Sequence, residues 1–244
     1  MSKLVKLFCP FNTPVPVQPV LDLLTRQFPG DAFDKTIDIE GELVLLEDAP
    51  LFIKDTIHHN ERIPLITNGN ERLMVELSGF ALKKPFGYAG ENVWYILIEM
   101  SDEVQPAASY LSFMEELIAL WRPYWAVMND SNTEGYAALQ LQPVGFEIAA
   151  KLGLPRLKPP AKYRGPFIPS GMAWINYWSK TTVEQMRVNY NTLKEQVFSV
   201  KQTADAGLLF QLTENVLSIE NREDLQLLIS MFDAYPDVGG RLIQ

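Results

Sequence analysis

The chain has 244 residues, 47% of them apolar and 21% charged, a balance that excludes a disordered chain and supplies an ample core. A net charge of −9 disfavours a nucleic-acid backbone as primary ligand, and no apolar run approaches the roughly 20 residues that cross a bilayer. Cys9 is the single cysteine, so no internal disulfide is expected. Pro10 breaks the apolar stretch after Lys3 and Lys6, with no small-residue cleavage site beyond it, and the location expected is cytoplasmic.

Leu4 to Phe8 reads as a short strand. Pro19 suits the first turn of a helix whose apolar positions Val20, Leu21, Leu24 and Phe28 follow helical spacing, and Pro29-Gly30 ends it. Residues 37–46 alternate loosely and finish in Leu43, Val44, Leu45 and Leu46, a strand with a charged start. Asn68-Gly69 predicts a type I′ turn between Ile63–Thr67 and Glu71–Leu77, with Leu73, Val75 and Leu77 on one face. Val93 to Met100 is almost continuously apolar and predicts a central strand buried on both faces.

Pro106 opens a strong helix with Tyr110, Met114, Leu117 and Trp121 on one stripe, stopped by Pro123. Tyr136 to Leu152 is helical in composition, broken by Pro143 and closed by Gly153. From 155 to 169 five prolines alternate with four basic residues, which predicts a semi-rigid extended connector and no packed element. Thr181 and Glu184 form a capping box for a short helix. Val197–Thr203 and Gly207–Thr213 read as a second hairpin. Asn221 caps a final helix with Leu225, Leu228, Ile229 and Phe232 on one face, and Gly239-Gly240 makes a turn after it. Hairpins interspersed with helices, without βαβ alternation, indicate an α+β fold: a mixed or antiparallel sheet packed by several helices. A single domain over 1–244 is expected, and the connector at 155–169 is the one place where it could divide.

Charge is unevenly spread. Residues 31–62 carry −6, more than twice the density of residues 63–150, and residues 151–201 carry +7. Asp31, Asp34, Asp38, Glu40, Glu42, Glu47 and Asp48 are therefore the candidate partner-binding residues, since such a segment steers a basic protein. The competing reading is a solvated acidic loop.

Motifs for chemistry are missing. The two histidines, His58 and His59, are adjacent and sit in a polar run, and with one cysteine they cannot assemble a zinc site. There is no nucleophile elbow and no phosphate-cradling glycine loop. No catalytic, cofactor-binding or metal-binding residue is assigned, and no cofactor is expected. A carboxylate-dependent hydrolase using Glu40, Glu42, Glu47 and Asp48 is the one enzymatic alternative. Trp174, Tyr177 and Trp178 form an aromatic knot that reads as a core strand, with an exposed binding anchor as the other option.

The stretch from Gly171 through Trp174, Ile175, Asn176, Tyr177 and Trp178 to Ser179, followed by a capped helix and a late hairpin plus helix, resembles immunity proteins of bacterial polymorphic and type VI secretion toxins. The nearest group is the one catalogued as immunity protein 52, and the resemblance covers residues 165–235. It implies an α+β protein that neutralises a cognate secreted toxin, often a nuclease, and lends no catalytic residues. A cognate protein toxin is then the expected partner, with neither nucleic acid nor membrane involved and homo-oligomerisation left open. A non-enzymatic adaptor or secretion chaperone is the main rival.

Overall fold

The computed structural model describes residues 2–12, 15–30, 32–38, 40–48, 56–57, 61–70, 72–83, 92–141, 145–158 and 166–240. Ten strands form one antiparallel sheet: β1 (Ser2–Pro10), β2 (Lys35–Ile37), β3 (Leu43–Leu45), β4 (Arg62–Thr67), β5 (Val75–Leu82), β6 (Val93–Ser101), β7 (Trp125–Asp130), β8 (Ile175–Trp178), β9 (Ser199–Gln202) and β10 (Leu208–Gln211). Their spatial order is β3-β2-β4-β5-β6-β1-β7-β8-β10-β9. Helices α1 (Val17–Gln27), α2 (Tyr110–Trp121), α3 (Ser131–Leu139), α4 (Phe146–Lys151), α5 (Lys180–Gln185), α6 (Tyr190–Gln196) and α7 (Arg222–Ala234) pack around it. The fold is α+β.

β1 holds the middle of the sheet, paired along nearly its whole length with β6 on one side and β7 on the other. Its odd positions, Val5, Leu7 and Cys9, are fully buried together with Ile96 and Ile98 of β6 and Val75 and Leu77 of β5. Helices α1 and α2 contribute their own stripes to the same core, and Phe28 meets Phe113 edge-on at 5.5 Å. Burial pushes the Cys9 thiol far above its usual range, so it is a structural thiol. On the other face Phe8 stacks on Trp125 at 3.9 Å, and Lys6 pairs with Glu134 of α3.

Several expectations change at this level. β6 is buried on one face only, because Tyr95, Leu97 and Glu99 look onto a half-open face. Residues 37–46 are not one strand: Ile37 ends β2, a turn follows, and only Leu43–Leu45 form β3. Between β4 and β5 there is no two-residue turn: Asn68 and Val75 still pair, and residues 69, 70 and 72–74 lie outside the ladder. The Asn68 side chain replaces the missing ladder by accepting from the Asn70 and Val75 N–H groups and donating to the Leu73 carbonyl, which leaves Leu73 exposed. β7, which begins two residues after Pro123, is absent from the sequence reading. The N-cap of α5 is Ser179, whose hydroxyl accepts from the Thr182 N–H, so the cap lies two residues before Thr181.

The described ends of the proline-rich stretch are packed, contrary to the expectation of a free connector. Leu154, Leu157 and Ile168 are buried, Trp125 Nε1 donates to the Pro166 carbonyl, and Thr182 Oγ1 donates to the Phe167 carbonyl. The β9–β10 hairpin and the Asn221 cap of α7 fall where the sequence puts them.

Candidate partner-binding surface

β2 and β3 make a small hairpin at one end of the sheet, with β3 as the edge strand. Its turn is built by Asp38. One carboxylate oxygen accepts from the Glu40 and Glu42 N–H groups at 2.9 and 3.0 Å, while the Asp38 N–H donates to the Glu42 carbonyl. Gly41 occupies the left-handed region (φ 88°) that this tight return requires. The inner side of the hairpin is fixed by Thr36, which is fully buried, and the outer face carries Lys35, Ile37, Leu43 and Leu45. Ile37, Leu43 and Leu45 are 39%, 52% and 37% exposed, an apolar cluster on the outside of the molecule.

Carboxylates ring this cluster. Asp34, Glu40, Glu42, Glu47 and Asp48 are exposed, and among the described residues none of them makes an ion pair. Several acids elsewhere are paired: Glu61 with Lys83, Glu103 with Arg72, Glu115 with Lys201 and Glu116 with Arg26. Glu147, Glu195, Glu214, Glu223 and Asp237 are exposed with no ion pair among the described residues, but they are scattered over the surface. Asp38 is half-buried and spent on the turn, so its role is structural. Asp31 lies outside the described residues, as do Asp55, His58 and His59. The structure thus brings six of the seven candidate acids to one hairpin, five of them exposed, and adds Ile37, Leu43 and Leu45, which the sequence places in a single strand over 37–46.

The aromatic motif is core. Trp174, Tyr177 and Trp178 are buried, and all four residues of β8 are enclosed. Two asparagines missed in the sequence organise it. Asn176, fully buried, donates to the Ala173 carbonyl (2.7 Å) and accepts from the Ala173 N–H (2.9 Å), while Asn129 accepts from the Trp174 N–H at 2.8 Å. Burial, and then the Asp205 carboxylate that accepts its hydrogen bond at 2.6 Å, push the Tyr177 phenol upward. A buried asparagine on an otherwise apolar strand is the signal that could have revealed this clamp.

Two concavities lie elsewhere. One, of about 230 Å³, sits between the sheet and α3, with the Lys6–Glu134 pair, Tyr95 and Asn129 in its wall. Burial and Glu134 raise the Tyr95 phenol. The other, of about 440 Å³, lies between α2 and the β9–β10 turn beside Arg122 and Asp205. The first falls below the roughly 300 Å³ at which ligand pockets begin. Among the described residues no three His, Cys, Asp or Glu side chains are grouped to hold a metal ion, and no helix is long and apolar enough to cross a membrane.

Fold and surface together define an α+β protein with an acidic, apolar-centred edge hairpin. Over residues 16–243 the chain matches the family described as a domain of unknown function, DUF5953, and it belongs to that family. Among solved structures it is similar to the Pseudomonas aeruginosa T6SS protein PA0821, with a TM-score of 0.50 and 11% identity, over 97% of this chain and 76% of that one. No curated protein matches it in sequence.

Proposed function

We propose that this protein is an immunity protein of a type VI secretion system, which acts without catalysis by binding and neutralising a cognate secreted toxin, a basic nuclease being the class its surface fits. The observation that carries the reading is the set of five exposed carboxylates around Ile37, Leu43 and Leu45, none of them in an ion pair among the described residues. Nuclease toxins hold phosphate through basic surfaces, and an acidic inhibitor uses the same field for fast association. The fold shared with a type VI secretion system protein and the resemblance of the 171–179 motif to immunity proteins support the same reading. A secretion adaptor is the competing reading, and it predicts binding without protection.

Coexpression with candidate toxins from neighbouring genes is the test. The wild type is expected to protect the cell. Reversing Asp34, Glu40, Glu42 and Glu47 to Lys together, with Asp38 spared to keep the turn, is expected to slow association at low salt. The difference should shrink near 1 M salt, where the screening length falls to about 3 Å. No protection by the wild type sinks the immunity reading. Equal protection and equal association rates for both forms remove the hairpin from recognition.

A further inference from the structure

The register of the edge hairpin says which backbone groups are free. In an antiparallel ladder residues alternate between hydrogen-bonded and non-hydrogen-bonded pairs. The Asp38 N–H donates to Glu42 and the Leu46 N–H to Asp34, so the bonded pairs are 38–42, 36–44 and 34–46. Leu43 and Leu45 are the intervening positions. Their N–H and C=O groups point away from β2, and none of them has a hydrogen-bond partner among the described residues. Their side chains lie on the exposed outer face beside Ile37.

The two ends of the sheet differ in how they treat this exposure. β9, the opposite edge, carries Lys201, a charge of the kind that keeps edge strands from pairing. β3 is Leu-Val-Leu, with no lysine, proline or bulge. Its charges flank the strand and are all acidic: Glu40 and Glu42 before it, Glu47 and Asp48 after it.

We infer that the outer edge of β3 takes an extended segment of a basic protein partner as an eleventh strand, with apolar side chains of that segment against Leu43 and Leu45 and lysine or arginine at its ends. Main-chain bonds to Leu43 and Leu45 set the register, the apolar cluster selects alternating side chains, and the flanking carboxylates select the charge. A second copy of this chain is a poor occupant, because β3 against β3 sets these carboxylates on one another, and like charges placed opposite across strands destabilise pairing. The inference deepens the immunity reading and rests on its basic partner.

Amide hydrogen exchange tests it on the full chain, with two probes: a candidate toxin from a neighbouring gene, and a synthetic nine-residue peptide of alternating valine and threonine with two lysines at each end. In the free protein the Leu43 and Leu45 amides should exchange fast and the Val44 amide, bonded to Thr36, slowly. Either probe should slow Leu43 and Leu45 by about tenfold or more. A glutamate-flanked peptide should leave them fast. Leu45→Pro removes one outward donor without touching the ladder to β2 and should abolish the protection; Leu45→Lys does the same by charge if the proline variant misfolds. If the toxin is bound and neutralised while both amides stay fast with either probe, strand addition is wrong and the immunity reading survives. If the peptide protects these amides but the toxin is neither bound nor neutralised, the edge site stands and the immunity reading fails. Protection that depends on protein concentration alone means that a second copy occupies the edge, which overturns the inference.

Discussion

Replacing Asn176 by leucine isolates what the asparagine clamp contributes. Asn176 closes both the N–H and the C=O of Ala173, a residue that is itself 1% exposed. Leucine has the same branched skeleton, though bulkier, but neither bond, so two buried backbone groups are left unmet. Each such group costs about 1–3 kcal/mol, which puts the loss at about 2–6 kcal/mol. For a chain of this size that corresponds to a fall in Tm of about 4–24 °C. Urea unfolding is the cleaner assay, because the midpoint should fall while the slope stays constant. A companion, Asn176→Asp, keeps an acceptor for the N–H but sets a second oxygen where the amide now lies 2.7 Å from the Ala173 carbonyl. That carboxyl must be protonated to donate, so its folded-state pKa rises above the unfolded value of about 4. The folded state then holds a proton that the unfolded state has lost, and stability falls as pH rises above about 4. A leucine variant that loses less than about 1 kcal/mol, or an aspartate variant equally stable at acid and neutral pH, refutes the clamp.

Trp174→Ala removes a buried ring and its indole N–H bond to the Thr213 carbonyl, and should cost about 3–5 kcal/mol with reduced soluble yield; an unchanged melting temperature with lost partner binding would make the ring an exposed anchor instead. Burial pushes the Asp205 carboxyl up, but hydrogen bonds from Thr203, Tyr177 and the Gly207 N–H outweigh it and hold the group below the usual carboxylate range. A depressed folded-state pKa stabilises above the unfolded value near 4 and loses that contribution as pH falls through it. Asp205→Asn should therefore flatten the acid limb of melting temperature against pH, and an unaltered limb contradicts the assignment.

What the sequence reveals of this fold depends on how local the determinants are. The α2 stripe, the Asn221 cap and the β9–β10 hairpin rest on neighbouring residues, and the structure reproduces them. β7 is illegible because Trp125, Ala126, Val127 and Met128 are defined as a strand only by β1 and β8 on either side. Asn68-Gly69 carries a two-residue turn signal that the Asn68 side chain diverts by bonding its own loop. The acids of the candidate surface are legible as a charge cluster. Leu43 and Leu45 are not, since an apolar strand residue is read as core until the sheet order shows β3 at the edge, with no described strand beyond it.

The place of β1 has a consequence for biosynthesis. Its partners, Val93–Ser101 and Trp125–Asp130, lie 83 to 127 residues further along the chain, from the Pro10–Val93 pair to the Lys3–Asp130 pair. At about 5–20 residues per second the ribosome needs roughly 6–24 s to pass from Pro10 to Asp130. Until Ser101 has been made, Leu4, Val5, Leu7, Phe8 and Cys9 have no native strand to lie against, and until Asp130 has been made the ends of the sheet cannot be joined through its middle. Translation rate and holding chaperones therefore act on the nascent chain at one identifiable segment. A pause before residue 93 lengthens its exposure, whereas a pause after 130 does not.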